Sequence, residues 1–237
     1  MSKSRSEIDM CSGPLLPSIL MFALPLMASS VLQLLFNAAD VIVVGRFAGE
    51  NSLAAVGSNT SLINLMTNLF LGLATGTNVI AAQLIGAGKH GRLKMTIHTS
   101  ISLGIISGLA LTVIGLLFAT QILELMQTPA EVLRLSALYL RVYFLGMPAM
   151  MVYNFGSAIL RAKGDTKRPL YYLLAAGVIN VILNLIFVIV FKLDVLGVAL
   201  ATVISQFISA GLILRTLMHE KGAFKLSLRR LRPNGAT

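Results

Sequence analysis

Long apolar stretches alternate with short polar turns along nearly the whole chain. In order they predict six helices, at about 15–44, 53–84, 97–122, 133–160, 170–191 and 195–217. Each is long enough to cross a bilayer, for which ~20 mainly apolar residues suffice. The predicted fold is an all-α membrane protein, a single bundle of six transmembrane helices. A polar arm at 1–12 precedes it and a basic tail at 218–237 follows it.

The polar positions inside the runs are few and regularly spaced. In the first run Gln33, Asn37 and Asp40 are spaced by four and then three, which puts them on one helical face; the rest of that helix is mostly Leu, Val, Phe and Ala. An acid near the middle of a membrane helix costs ~2.5–3.5 kcal/mol to insert, so Asp40 is read as functional. Ser61, Asn64, Asn68 and Thr75 share a face of the second run. The fourth holds Tyr139, Arg141, Tyr143, Pro148 and Asn154, the fifth Asn180 and Asn184 one turn apart, and the sixth Thr202, Ser205, Gln206 and Ser209. Two small-xxx-small pairs, Gly72/Gly76 and Gly104/Gly108, suit close helix approach. Pro25 kinks the first helix by removing a backbone donor.

Composition agrees with the pattern. Hydrophobic residues are 56% of the chain, charged residues 12%, and mean hydropathy is +0.85. Soluble domains carry ~25% charged residues. The net charge of +10 does not point to nucleic acid, because the basic residues lie between apolar runs, with no Trp and no aromatic–basic interleaving. Their placement instead orients the protein. All of the 19 Lys and Arg except Arg46, Arg134, Arg141 and Lys192 fall on the side of the N-terminus, so both termini are expected in the cytoplasm of a multi-pass plasma-membrane protein. The first run continues past any signal-peptide cleavage point at Ala28-Ser29-Ser30 and is read as a retained span.

Several local motifs carry no chemistry. Gly86-Ala-Gly88-Lys-His-Gly91 is a literal GxGxxG, but it follows a membrane helix rather than a strand and has no acid ~20 residues on, so it reads as a basic turn. His90 and His98 lack metal-ligand spacing. Asn59-Thr-Ser61 matches a glycosylation sequon at the head of a span and is given no weight. The single cysteine, Cys11, allows no internal disulfide. No nucleophile–base pair or metal cluster suggests an enzyme, and no cofactor is expected.

The ordered stretches Leu24-Pro25 … Gln33 … Asn37-Ala-Ala-Asp40 … Val44-Gly45 … Gly49 … Leu53-Ala-Ala-Val-Gly57 and Gly72 … Gly76 … Ala81-Ala-Gln-Leu-Ile-Gly-Ala-Gly88 resemble MATE (multidrug and toxic compound extrusion) transporters. So do Tyr139-Leu-Arg141 … Gly146-Met-Pro148, Leu160-Arg-Ala-Lys-Gly-Asp-Thr166 and Gly197-Val-Ala-Leu-Ala-Thr202. The resemblance implies one six-helix lobe, the N-terminal one, of a two-lobe transporter that exchanges H⁺ or Na⁺ for cationic or amphipathic small molecules. It implies that Asp40 binds the coupling cation. Asn180 matches a fifth-span polar partner, and Asn184 stands where some members have an acid, so coupling would rest on one carboxylate. Tyr139 and Thr202 fall near the same pocket. Na⁺ would be held by Asp40, Asn180 and Asn184. Helical spacing alone adds Asn37 to the cation site and Gln33 to the cavity lining, where Asn64, Asn68 and Asn154 are also expected. The expected partners are the bilayer, a cationic substrate, and either the C-terminal lobe or a second copy of the chain. Two rival readings are a lipid-linked saccharide flippase of related architecture and a truncated, non-transporting membrane fragment.

Overall fold

A computed structural model describes residues 15–220 and 222–227. The expected N-terminal arm and, of the basic tail, Lys221 and everything beyond 227 lie outside the described residues. The helices are α1 (Leu15–Phe47), α2 (Glu50–Gly86), α3 (His90–Leu125), α4 (Ala130–Leu145), α5 (Met147–Ala162), α6 (Lys167–Leu185) and α7 (Asp194–His219), and there is no strand among the described residues. Five are long and apolar enough to span a membrane alone. The fourth expected span is two helices, α4 and α5, bent by 47° about Gly146. Pro148 sits in the first turn of α5, where its missing N–H costs nothing. A membrane helical bundle therefore holds, with one broken span.

The turns explain why the helices stop. Gly88, Gln127 and Gly164 take left-handed φ values of 67°, 57° and 91°. Each lets the next N–H reach back five residues: Lys89 to the Leu84 carbonyl, Thr128 to that of Leu123 and Asp165 to that of Leu160, all at 3.0 Å. The glycine-rich motif at 86–91 is thus a helix terminator between α2 and α3.

Helix packing separates the two glycine pairs. A Cβ at Gly104 would lie 2.9 Å from the Phe155 ring, and one at Gly108 would overlap the Pro148 backbone, so α3 and α5 touch backbone to backbone there. Gly72 and Gly76 have no atom from a neighbouring element within reach of such a Cβ. No helix of this chain approaches them, because their face of α2 is open. Arg141 donates to the Thr120 hydroxyl at 3.1 Å from an exposed position. Asn59 of the sequon is fully buried and donates to the carbonyls of Ala55 and Ser136.

After α7 the chain folds back onto the bundle. Phe224 and Leu226 are buried, the Leu226 N–H donates to Leu217, and the Ser227 N–H donates to Nε2 of buried His98 at 3.1 Å. Glu220 anchors this segment through Lys163 Nζ at 2.7 Å and Arg168 Nη1 at 2.6 Å, while Arg168 Nε also meets Asp165 at 2.9 Å. Burial works to raise the Glu220 carboxyl, but the hydrogen bonds and charges of Lys163 and Arg168 outweigh it and hold the group below its ordinary range. A lowered pKa contributes stability above the unfolded value of about 4.3, and that contribution fades as pH falls below it. We expect exchange protection of the Leu226 amide, corrected for intrinsic rate, to be flat from pH 7 to 5 and to fall below about pH 4. Glu220→Gln should remove that dependence and lower protection at neutral pH by roughly up to fivefold. An unchanged profile in the variant would show that the ion network does not hold the segment.

Candidate functional site

The site is built where α1 lies against α6. Gly177 of α6 makes this possible: a Cβ there would overlap the Phe36 ring of α1. One turn beyond Phe36, Asp40 comes level with Asn184, which is fully buried near the end of α6. Asn184 Nδ2 donates to Asp40 Oδ1 and lies 3.3 Å from Asn180 Oδ1. Asn180 Nδ2 in turn donates to Thr202 Oγ1 of α7 at 3.3 Å, and that hydroxyl donates to the Val198 carbonyl at 2.9 Å. The result is a row, Asp40–Asn184–Asn180–Thr202, that ties three helices together. The i, i+4 spacing of the two asparagines is what permits it.

Immediately after this row α6 changes to a π-helical turn, Ile186–Val190, and a tight corner follows with Lys192 and Asp194 at positive φ. Such π turns recur at functional sites. Here the turn lets Phe187 approach Gly197 of α7, whose Cβ would lie 2.9 Å from that of Phe187. On α1, the Ser29 hydroxyl bonds the Pro25 carbonyl at 2.8 Å and Ser30 that of Leu26 at 3.2 Å. Back-bonding of this kind beside a proline favours bending of the helix.

A cleft of about 220 Å³ opens beside the row. Asp40, Asn37 and Gln33 of α1, Asn64 of α2, Asn154 of α5, and Asn180 and Thr202 all line it. Asp40 is the acid among its lining residues, which include no Lys or Arg. Three expected residues are placed differently. Asn184 sits behind Asp40, touching it rather than lining the cleft. Tyr139 is buried behind Tyr143, the two rings stacked at 6.1 Å, and Tyr143 is the one that lines the cleft. Asn68 is exposed and is not among the lining residues, since the cleft follows the Asn64, Thr67 and Leu71 side of α2 and Asn68 lies at the edge of that face. Sequence reasoning did not assign Tyr143, Tyr153, Ser205, Gln206 and Ser209 to the lining. The spacing of Thr202, Ser205, Gln206 and Ser209 by three, one and three contains the signal, for it places the four along one side of α7.

Chemically, the row offers oxygen atoms. Besides the Asp40 carboxylate, Asn184 Oδ1 is buried and has no hydrogen-bond partner. A buried carbonyl oxygen left without a donor is costly, and it suits a hard cation that prefers oxygen ligands. No cluster of three or more His, Cys, Asp or Glu occurs among the described residues, so a transition-metal centre has no donor set there.

The fit between α1 and α6 can be tested directly. Gly177→Ala should push Phe36 out and cost about 1–3 kcal/mol, as overpacking of a tight contact does. The thermal midpoint in detergent should fall by several degrees, and adding Phe36→Ala should recover part of the loss. No loss in the single variant would mean that α1 does not depend on that contact.

Comparison with known proteins gives a consistent picture. A family model described as MatE matches residues 25–186. The "Probable multidrug resistance protein YoeA" of Bacillus subtilis is 35% identical over 208 residues, covering 86% of this chain and 45% of the relative. The "Multidrug export protein MepA" of Staphylococcus aureus is 25% identical over 222 residues, covering 94% of this chain and 49% of the relative. Among solved structures, the outward-facing conformation of a multidrug resistance MATE family transporter of the MOP superfamily superposes with a TM-score of 0.88 at 27% identity, over 99% of this chain and 52% of that one. The chain spans about half the length of the curated relatives it matches.

Proposed function

The chain belongs to the MatE family, and on that premise we propose that it forms a bundle through which cationic or amphipathic small molecules are exported across the cytoplasmic membrane in exchange for H⁺ or Na⁺. The observation that carries this reading is Asp40. It is the acid of the cleft, hydrogen-bonded to Asn184, next to an unpartnered amide oxygen. A cation bound there neutralises the carboxylate that Asn184 holds in place, and a turn of the Asn184 amide would offer it the unpartnered oxygen. Asn180 and Thr202 fix Asn184 in place rather than adding charge.

Exchange follows if coupling ion and cargo compete for one carboxylate, each favouring a different arrangement of α1 against α6. Only differential binding to two arrangements can move the equilibrium. Pro25 and the back-bonded serines make the first half of α1 the compliant part. We further propose that the open face of α1 and α2, including Gly72 and Gly76, meets a second six-helix lobe or a second copy of this chain. The basic turns at Lys89–Arg92 and Arg161–Arg168 would face the cytoplasm. A saccharide flippase needs a strongly cationic cavity; the lining of the Asp40 cleft supplies no cation, and the adjoining cavity has Arg161 alone.

The test is efflux of a fluorescent cationic dye from proteoliposomes under imposed Na⁺ or pH gradients. Efflux under one gradient and none without it supports the proposal. Efflux indifferent to both gradients, or no efflux, counts against it.

A further inference from the structure

A second cavity, of about 310 Å³, lies below the first and shares Gln33, Leu71, Tyr153 and Asn154 with it. Its chemistry is of opposite sign. Arg161, at the last turn of α5, lines it and is half-buried. No carboxylate lies within ion-pair distance of Arg161 among the described residues. The acids of the neighbouring turn are committed elsewhere, Asp165 to Arg168 and Glu220 to Lys163 and Arg168. A guanidinium drawn into a bundle without a counter-ion is expensive, so it needs a reason.

The donors around it have been sorted by the fold. Ser29, Ser30 and Thr75 spend their hydroxyl hydrogens on carbonyls of their own helices. Asn78 donates to the Ala158 carbonyl at 2.8 Å and Tyr153 to that of Pro169 at 3.0 Å. Two hydroxyls remain. Thr166 and Ser157 are 1% and 2% exposed; Oγ1 of Thr166 has no hydrogen-bond partner, and Oγ of Ser157 has the Tyr153 hydroxyl as its neighbour. Thr166 stands at the N-cap of α6 without capping it. The cavity thus presents a forked cation, a spare hydroxyl at Thr166 and a second hydroxyl at Ser157 beside it, a set that an oxyanion satisfies.

We propose that this cavity binds the oxyanion of a ligand, a phosphate or a carboxylate, held by Arg161 with Thr166 and Ser157. The site does not depend on Asp40 acting as the coupling residue. Because the two cavities share a wall, one amphiphile bearing a cation and an anion at opposite ends can occupy both. The same oxyanion can also belong to a lipid headgroup or to free phosphate.

The test is equilibrium titration of the full chain in neutral detergent with three probes: inorganic phosphate, a short-chain phosphatidylglycerol, and dodecanoate with its methyl ester as control. At least one probe is expected to bind Arg161→Gln at least about tenfold more weakly than the unaltered chain, and Thr166→Val more weakly by about threefold. The probe that responds identifies the source of the oxyanion. The ester should not respond. If Arg161→Gln does not purify as a monodisperse species, Arg161→Lys and Thr166→Val carry the comparison, since lysine keeps the charge but loses the fork. Absence of binding by all three probes overturns the proposal. So do affinities within about twofold of the unaltered chain in every folded variant.

Discussion

Replacing Asp40 by Asn should abolish ion-driven efflux while leaving the bundle folded. The substitution keeps the shape and the capacity to bond Asn184, and it removes only the charge. Loss of one member of a buried charge pair costs about 2–5 kcal/mol, which weakens cation binding roughly 30-fold to several thousand-fold. At ordinary ion concentrations the coupled flux then falls to background. The thermal midpoint should not fall, and should rise slightly, because a carboxylate no longer has to be held in an apolar bundle. Efflux by the Asp40→Asn protein at the original rate would remove the acid from the mechanism.

The second large effect is expected at Asn184. Asn184→Leu keeps the volume but removes the amide that donates to Asp40 and reaches toward Asn180. Hydrogen bonds to charged groups contribute about 1.5–3 kcal/mol, so coupling-ion affinity should fall about 10- to 150-fold. The row's remaining contact, Asn180 to Thr202, lies on the far side and cannot replace it. Asn184→Leu also leaves Asp40 Oδ1 and Asn180 Oδ1 without that donor, so a thermal loss of about 1–3 kcal/mol is expected in the unaltered Asp40 background and little of it in the Asp40→Asn background. Coupling lost by much more than stability separates a role in ion binding from a role in holding α1 to α6. Equal loss of both would assign the residue to structure.

The six apolar runs were legible in the sequence because membrane helices need continuous apolar length, and that signal is local. The bend between α4 and α5 was not. Pro148 is visible in the sequence, but a proline at a helix start and one at a kink look the same until the neighbouring helix is in place. The paired glycines make the same point. Gly72/Gly76 and Gly104/Gly108 have identical spacing, yet only the second pair meets another backbone, because contact is a property of the partner.

The site divides along similar lines. Helical spacing placed Gln33, Asn37 and Asp40 on one face, and they do share the cleft. Family resemblance, not spacing, connected α1 to Asn180, Asn184 and Thr202 across more than a hundred residues. Tyr139 and Tyr143 are one turn apart and chemically alike; which one faces the cleft depends on how α4 leans on its neighbours. Asn68 has the same periodicity as Asn64 but falls outside the lining, since a long helix drifts relative to a straight cleft. Arg161 was visible only as part of a basic turn. Its approach to the interior shows once α5 and α6 are seen to close around Ser157 and Thr166.

The most direct test of the central claim is equilibrium binding of a cationic dye to the purified protein at a series of Na⁺ concentrations and pH values. Competition for one carboxylate predicts that the dye's apparent Kd rises with the coupling ion, and that Asp40→Asn makes it independent of that ion. Dye affinity that ignores both ions in the unaltered protein, or the same ion dependence after Asp40→Asn, would contradict the account.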